Sequence, residues 1–331
     1  MAVTQQKQQA LQKVPFAEFF AIWMDRLGTV LVALALFTIF SLTAEYFLTV
    51  QNMQNILRQM AITSILAIGM TLVILIGGID LSVEAVVLFS AAAMNGLIFN
   101  HVMPTGLAIL AGLLAAALVG LVNGLMIEKV GISPVIVTLG TLIAVRGMGQ
   151  MILWINNSWL WVTEPIFDYI KATTWLLIPI PAVLMFVLYA IAAIMMKKTI
   201  LGRYIYAIGG NERAARLCGV PTVNTKILVY VLCAFGAGIG GILMSARLGA
   251  ISPGVGQGLT FEAITAVILG GTKLSGGVGR VEKTILGAFI VAMILNYMTI
   301  MGISAHYQRA VTGFIILGAA VLDQISRSRS R

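Results

Sequence analysis

The chain of 331 residues is 60% hydrophobic and only 10% charged, with a mean hydropathy of +1.00, which excludes a soluble globular domain and places it among integral membrane proteins. A net charge of +9 would suit a nucleic-acid binder, but basic residues collect in the cytoplasmic loops of membrane proteins, so the excess reads as topology and no nucleic-acid partner is expected. Two cysteines, Cys218 and Cys233, make no disulfide framework and read as small apolar fillers.

In chain order, residues 1–26 read as a polar cytoplasmic segment without a cleavable leader, because Leu27–Thr43 opens a run of full transmembrane length with no small-residue cleavage site after it. Apolar runs of about 17–25 residues, each able to span roughly 30 Å of hydrocarbon as a helix, recur from there on and predict about ten spans. These are 27–43, 59–76, 83–99, 106–127, 135–153, 176–196, 227–248, 261–279, 284–302 and 308–323. The third and eighth contain or adjoin Gly-rich breaks. The expected fold is an all-α integral membrane protein, with a permease-like domain over 27–323 and a basic tail, 324–331.

Charge placement tests this count. With the N-terminus inside and the spans alternating, the inside segments hold 16 basic residues and the outside loops hold three, Arg58, Lys171 and Arg309. Arg146 and Arg247 fall within or at the ends of spans. This asymmetry predicts that both termini are cytoplasmic. The outside loop 154–175 carries four of the five Trp residues; it reads as an aromatic belt at the membrane interface or as a surface for an external partner or pathway mouth.

Glycine recurs within spans, at Gly120 and Gly124, at Gly236, Gly238, Gly240 and Gly241, and at Gly313 and Gly318. Close helix packing accounts for such positions, since small residues let helices approach in lipid. Two stretches look broken, Gly77–Ser82 (GGIDLS) and Gly270–Gly279 (GGTKLSGGVG), and share the pattern G-G-x-x-L-S. A weaker echo pairs Asn123…Gly131-Ile132-Ser133 with Asn296…Gly302-Ile303-Ser304. Five spans per half would make two inverted repeats, an arrangement found in many transporters, although the two echoes differ in spacing.

Asp80 and Glu84 interrupt apolar sequence, where a charge must face a cavity, a partner or an interface. Asp80 is equally suited to capping the helix that begins near Ser82. Glu262 opens the eighth span, where an acid suits the helix dipole. Asn123, Thr141, Arg146, Asn296, Tyr297 and Gln308 are polar groups in or beside spans, able to bind a polyhydroxylated solute or to join helices to one another. No Walker-type GxxxxGKS/T, HExxH, CxxC or GxSxG occurs. His101 and His306 map to outside loops, and no acid–His relay of a proton-driven carrier is present. The chain thus shows no energy source of its own.

Between the sixth and seventh spans lies a polar island, Lys197–Lys226, with six of the 21 Lys and Arg residues against one acid, Glu212. Within it Asn211 is placed to cap a short helix, Glu212–Leu217, which Gly219 and Pro221 terminate. Such a capped helix is a compact cytoplasmic knob, with Arg213 and Arg216 on roughly one face.

At this loop, LGRYIYAIGGNERAARLCGV (201–220) resembles the coupling-loop signature of sugar permeases of ATP-binding-cassette importers. The resemblance extends to ITSILAIGMTLVILIGGIDLSV (62–83), ITAVILGGTKLSGGVGR (264–280) and GISAHYQ (302–308), in the same order from about residue 50 to the end. It is nearest the ribose permease group, whose relatives carry xylose, galactose, arabinose and autoinducer-2. It implies a non-enzymatic transport subunit of a bacterial inner membrane, paired with an identical or paralogous permease. It further implies a periplasmic sugar-binding protein outside, and inside a two-domain ATPase that binds the ATP and Mg, this chain holding no cofactor. The ATPase would grip Arg203, Gly209, Gly210, Asn211, Glu212, Ala215 and Gly219. Solute would pass by alternating access at the interface of the paired permeases, near Asp80, Ser82, Glu84, Asn123, Glu262, Asn296 and Tyr297.

Two departures from the resemblance stand out. Glu84 occupies a position that is usually glycine, and Thr260-Phe261-Glu262 replaces an acid, a leucine and Asp, so Thr260 loses the first acid. These put the sugar in question more than the class. The rivals are a permease for branched-chain amino acids, which shares the layout, and a stand-alone secondary carrier; the knob and the missing relay argue against the carrier, and no catalytic cluster supports a membrane enzyme.

Overall fold

The structure, a computed structural model, describes residues 16–329; of the expected terminal segments, 1–15 and 330–331 lie outside it. The first helix, α1 (Phe16–Thr43), begins well before the expected span. After a short turn, Thr49 caps α2 (Val50–Leu75), its hydroxyl accepting from Asn52 N at 3.3 Å. Next come α3 (Val83–Phe99), then α4 (Thr105–Leu125), which runs on through a π-turn at Met126–Val130. α5 (Pro134–Ile155) starts on a proline, whose missing N–H is one that no helix start can satisfy internally. The second half contains α7 (Ile180–Lys198), α8 (Ile200–Gly210), α9 (Glu212–Leu217), α10 (Thr222–Leu248), α11 (Leu259–Leu269), α12 (Val281–Ile300) and α13 (Ala305–Arg329).

The Trp-rich loop between α5 and α7 is ordered. It forms β1 (Leu160–Trp161), the helix α6 (Pro165–Ala172) and a hairpin of β2 (Thr174–Trp175) with β3 (Ile178–Pro179). β1 pairs antiparallel with β4 (Ala250–Ile251), Leu160 opposite Ile251, and so ties this loop to the end of α10. Trp154, Trp159, Trp161 and Trp175 are all exposed. This end is called the tryptophan face below, and the end bearing α8 and α9 the basic face.

A helix occupies each of the ten expected positions, yet among the described residues only six are long and apolar enough to cross a membrane on length and composition alone. The third, α3, has 17 residues. The eighth departs most: its helix stops after 11 residues at Leu269, about 16 Å at 1.5 Å per residue. The Gly-rich stretch that follows breaks the backbone ladder, with Gly271, Gly276 and Gly277 at positive φ. Both short helices therefore start inside the protein, α3 after the coil 76–82 rising from the basic face and α11 after the coil 252–258 descending from the tryptophan face. Irregular backbone at this depth is tolerated only where it is buried in protein or lines a cavity.

Packing follows a two-fold pattern. α3 lies against α4, α5 and α10, and α11 lies against α12, α13 and α2. With α2 matched to α10, α3 to α11, α4 to α12 and α5 to α13, the two sets of contacts coincide. α2 and α10 run antiparallel at the centre, Gly69 beside Cys233 and Ile65 beside Gly236. The two halves are thus inverted and interleaved. The more conspicuous echo misplaces them, since one G-G-x-x-L-S precedes α3 whereas the other follows α11. The weaker echo is in register: Asn123 and Asn296 sit late in the matched helices α4 and α12, and each Gly-Ile-Ser leads into the next helix. In lipid this packing depends on close backbone approach. A Cβ on Gly120 would lie 2.7 Å from Ala234 Cβ and 2.9 Å from Val231 Cα, and one on Gly287 would lie 2.8 Å from the Ala266 carbonyl carbon. Gly313 and Gly318, by contrast, meet nothing within 4 Å. Cys233 is a buried filler as expected, but Cys218 is exposed, because it stands at the end of α9 beyond the bundle.

Gly120→Leu is expected to destabilise the bundle by about 1–3 kcal/mol through overpacking, read as a lower melting temperature in detergent. Gly106→Leu, at a position with nothing within 4 Å, should leave the melting temperature unchanged.

Candidate functional site

The N-termini of α3 and α11 meet inside the protein. A helix start leaves unsatisfied N–H groups and a partial positive charge, so two converging starts need acceptors, and here each helix serves the other. Glu84, second residue of α3, accepts through Oε2 from Gly258 N, the N-cap of α11, at 2.8 Å. Thr260, second residue of α11, accepts through Oγ1 from Glu84 N at 3.0 Å. The other Glu84 oxygen takes Arg146 Nη1 of α5 at 3.1 Å, while Nη2 of the same guanidinium reaches the carbonyls of Pro253 and Val255 at 3.5 and 3.4 Å. One ion pair thereby joins α3, α5 and the coil leading into α11.

Two cavities border the junction or the coil beside it, and a third lies further toward the tryptophan face. The largest, about 980 Å³, is lined by Glu84, Arg146, Gln257, Phe261, Glu262 and residues of α13 including Gln308 and Arg309. A second, about 400 Å³, lies between Thr63, Arg247, Gln257 and Glu262. A third, about 800 Å³, opens beneath α6, with Asn55, Arg58, Asp168, Arg247 and Asn296 on its walls. Gln59 of α2 borders all three. Glu262 accepts from the Thr63 hydroxyl at 2.9 Å. The cavities are sized for small ligands, and their walls combine paired opposite charges with amides and hydroxyls, a set that hydrogen-bonds a neutral polar solute.

The expected pathway residues divide between two surroundings. Glu84 and Glu262 face the largest cavity and Asn296 borders the third. Asp80, Ser82 and Asn123 are fully buried and line none of the three. They form a chain: Asp80 Oδ1 accepts from Ser82 N at 2.9 Å and from its hydroxyl, Asn123 Nδ2 donates to Ser82 Oγ at 3.0 Å, and the Thr141 hydroxyl donates to Asn123 Oδ1 at 2.6 Å. This fixes the turn into α3 and ties it to α4 and α5. Asn296 exchanges two hydrogen bonds with Asn52, joining α12 to α2, and Tyr297 stacks on Phe40 of α1 at 4.1 Å. Gln59 escaped the sequence reading, although an amide in the first turn of an expected apolar span was a signal. Arg247 was noted there only for its charge.

On the basic face, α9 is the expected capped helix. Asn211 Oδ1 accepts from Ala214 N at 3.0 Å, Ala215 is buried beneath, and Gly219 at φ +81° closes the C-terminal end, with Val220 N donating to Ala215 O. Arg203, Arg213, Arg216 and Leu217 are exposed. Glu212 bonds Arg216 at 2.9 Å and Lys226 at 3.1 Å, and Lys226 also holds Glu128 at 2.7 Å. Partial burial alone would raise the Glu212 carboxyl, but Lys226 and Arg216 outweigh it and hold it below the usual carboxylate range. Behind α9 the backbones of three elements touch. Gly277 N donates to Leu75 O at 2.9 Å, Gly209 leaves no room for a side chain against Leu75 and Gly277, and Gly276 abuts Gly77. The Tyr206 hydroxyl donates to Gly279 O at 2.9 Å and Lys197 pairs with Glu282. Gly210 stands clear of this contact. The end of α8 that leads into the knob therefore rests on the Gly-rich loop after α11, which in turn abuts the end of α2 and Gly77.

Comparison with known proteins matches residues 52–320 to a family described as branched-chain amino acid transport system / permease component. Among curated proteins the chain is 38% identical to the ribose import permease protein of Bacillus subtilis, over 91% of this chain and 93% of that protein. It is 34% identical to the D-allose transport system permease protein of Escherichia coli, over 97% and 98%, and 33% identical to the L-arabinose ABC transporter permease protein of Azospirillum brasilense, over 94% and 91%. No solved structure matches.

Because the Glu212 carboxyl lies lower in the folded chain than unfolded, its contribution is complete above about pH 4 and fades as pH falls through the lowered value. Amide exchange in Glu212–Leu217, corrected for intrinsic rates, should rise over that acid range. Glu212→Gln should give the raised exchange already at neutral pH, with the bundle's melting temperature unchanged.

Proposed function

The chain belongs to the family of permease components of ATP-binding-cassette importers, a multi-pass membrane protein of transport rather than catalysis, and from that premise we propose that it carries a monosaccharide, a ribose-like pentose, a hexose or a related polyol, into the cytoplasm. Curated relatives of similar length include ones named for ribose, allose and arabinose, which favours the sugar reading over the amino acids in the family's description. The chain works as one of a pair of permeases, identical or paralogous, in a bacterial inner membrane. A periplasmic sugar-binding protein loads the tryptophan face, and a two-domain ATPase, which binds ATP and Mg, seats α9 on the basic face. Both termini then lie in the cytoplasm.

The observation that carries this reading is the backbone contact of Gly209, at the end of α8 two residues before the cap of α9, with Leu75 and Gly277, and of Gly276 in turn with Gly77. A movement of α9 driven by the ATPase is transmitted as backbone displacement, since no flexible side chain intervenes. It reaches the coil before α3 and the coil after α11, and so alters the junction beside the largest cavity. Gln59, Arg247 and Glu262 act there as solute-facing groups, with Phe261, half exposed, as an apolar surface for the faces of a sugar ring. Outward opening connects these groups to the third cavity beneath α6, and inward opening separates the Gly-rich loops. Asp80, Ser82 and Asn123 hold the start of α3 in place during this exchange.

Gly219 has a left-handed backbone conformation that a β-branched residue strains. Gly219→Val should therefore leave membrane insertion intact while lowering sugar-stimulated ATP hydrolysis by the reconstituted importer by about tenfold, the scale of a strong coupling free energy. Full stimulation in this variant would remove α9 from the coupling route.

A further inference from the structure

We propose that the Glu84–Arg146 pair is a solute-responsive latch that holds the two short helices together, and that what it requires is a carboxylate at the junction, supplied from either helix. The inference rests on the importer reading above. Three observations lead to it. The pair lies within the bundle interior, whereas the Lys197–Glu282, Arg216–Glu212, Lys226–Glu128 and Lys226–Glu212 pairs lie on the basic face. It fastens the start of α3 to Gly258 N and, through Arg146, to the carbonyls of Pro253 and Val255. That coil has Gly256 and Gly258 at positive φ, and its other side-chain tie is Gln257, which accepts from Arg309 of α13 at 3.2 Å.

The second observation is position. Glu84 and Thr260 are each the second residue of their helix, and they meet across the two-fold pattern that relates α3 to α11. A carboxylate at either place faces both helix starts, so the favourable interaction with the two dipoles is the same from either side. The third is access. Both members of the pair line the largest cavity and keep a little exposure, 15% for the Arg146 side chain and 13% for Glu84. A hydroxylated solute there can donate to the carboxylate and accept from the guanidinium. It then competes with the bonds that anchor the coil, which lets the two helix starts separate when the ATPase drives them. In the absence of solute the latch keeps them together and holds unproductive hydrolysis low.

The test uses the full importer in liposomes, with the chain, its ATPase and its sugar-binding protein, and reads ATP hydrolysis without sugar and with whichever of ribose, allose and arabinose stimulates the wild type most. Glu84→Ala should raise basal hydrolysis and lower the ratio of stimulated to basal rate by roughly fivefold or more, within the usual span of coupling between sites. Adding Thr260→Glu to Glu84→Ala should restore the ratio. Thr260→Glu alone, which sets two carboxylates against one guanidinium, should lower it. Glu84→Gln keeps the side-chain volume and an acceptor for Gly258 N, and should shift the ratio in the same direction as Glu84→Ala without changing the melting temperature. A wild-type ratio in Glu84→Gln and Glu84→Ala would overturn the latch, as would a double variant that melts normally yet couples no better than Glu84→Ala. A wild-type importer whose hydrolysis responds to none of ribose, allose and arabinose would overturn the importer reading itself, and the latch with it.

Discussion

Inside a membrane every backbone polar group must find a partner within the protein, and this requirement is sharpest where α3 and α11 begin. Two helix starts converge where water is scarce, so acceptors have to come from side chains. Glu84 and Thr260 provide them reciprocally, and Arg146 balances the charge that this introduces. An uncompensated carboxylate at that depth would be costly; as built, one charge pair satisfies the helix starts and leaves a polar surface beside a cavity of about 980 Å³. The remaining polar groups have more local tasks, as when Asp80, Ser82 and Asn123 secure the turn into α3 or Asn52 and Asn296 tie α2 to α12.

The same short helices explain how a knob on one face reaches the interior. Were α3 and α11 continuous helices, the junction would be buried along their length and α9 would touch only their ends. Because each is short, coils connect the junction to the faces, and the Gly-rich loops lie against the end of α8 that leads into α9. Glycine at 77, 209, 276 and 277 brings three backbones into contact. Contacts of this kind transmit displacement with little loss, since packed interiors are stiff. The inverted pairing of the halves places the other coil, 252–258, toward the tryptophan face, so each face has a route to the same junction.

Much of this was legible in the chain alone. The knob was readable because its signals are local: Asn211 as cap, Gly219 and Pro221 as stop, and an apolar Ala215 between. The membrane class followed from composition, and the weak spans were the two that proved short. The eighth was misjudged as a full span because apolar and small residues continue through Gly270–Gly279, and hydropathy does not register that glycine breaks the ladder. The repeat was misled by G-G-x-x-L-S, whose matched glycines differ in backbone conformation, Gly77 at φ +79° against Gly270 at φ −69°, while the fainter Asn and Gly-Ile-Ser echo marked the true correspondence. The junction was invisible for a different reason. Glu84, Arg146 and Thr260 are far apart in sequence, and only the packing of α3, α5 and α11 brings them together. Tyr297, expected near the solute path, stacks on Phe40, a contact that no spacing rule could have singled out.

The central claim is that α9 couples an ATPase to solute movement past the junction of α3 and α11. The most direct measurement is uptake of radiolabelled ribose into liposomes that contain this chain, its partner ATPase and the sugar-binding protein, with ATP supplied to the compartment that α9 faces. The account predicts accumulation of ribose against its gradient only when ATP and all the subunits are present. Equal, ATP-independent movement of ribose by the chain alone would contradict it and would identify a stand-alone carrier in which α9 is an ordinary connector.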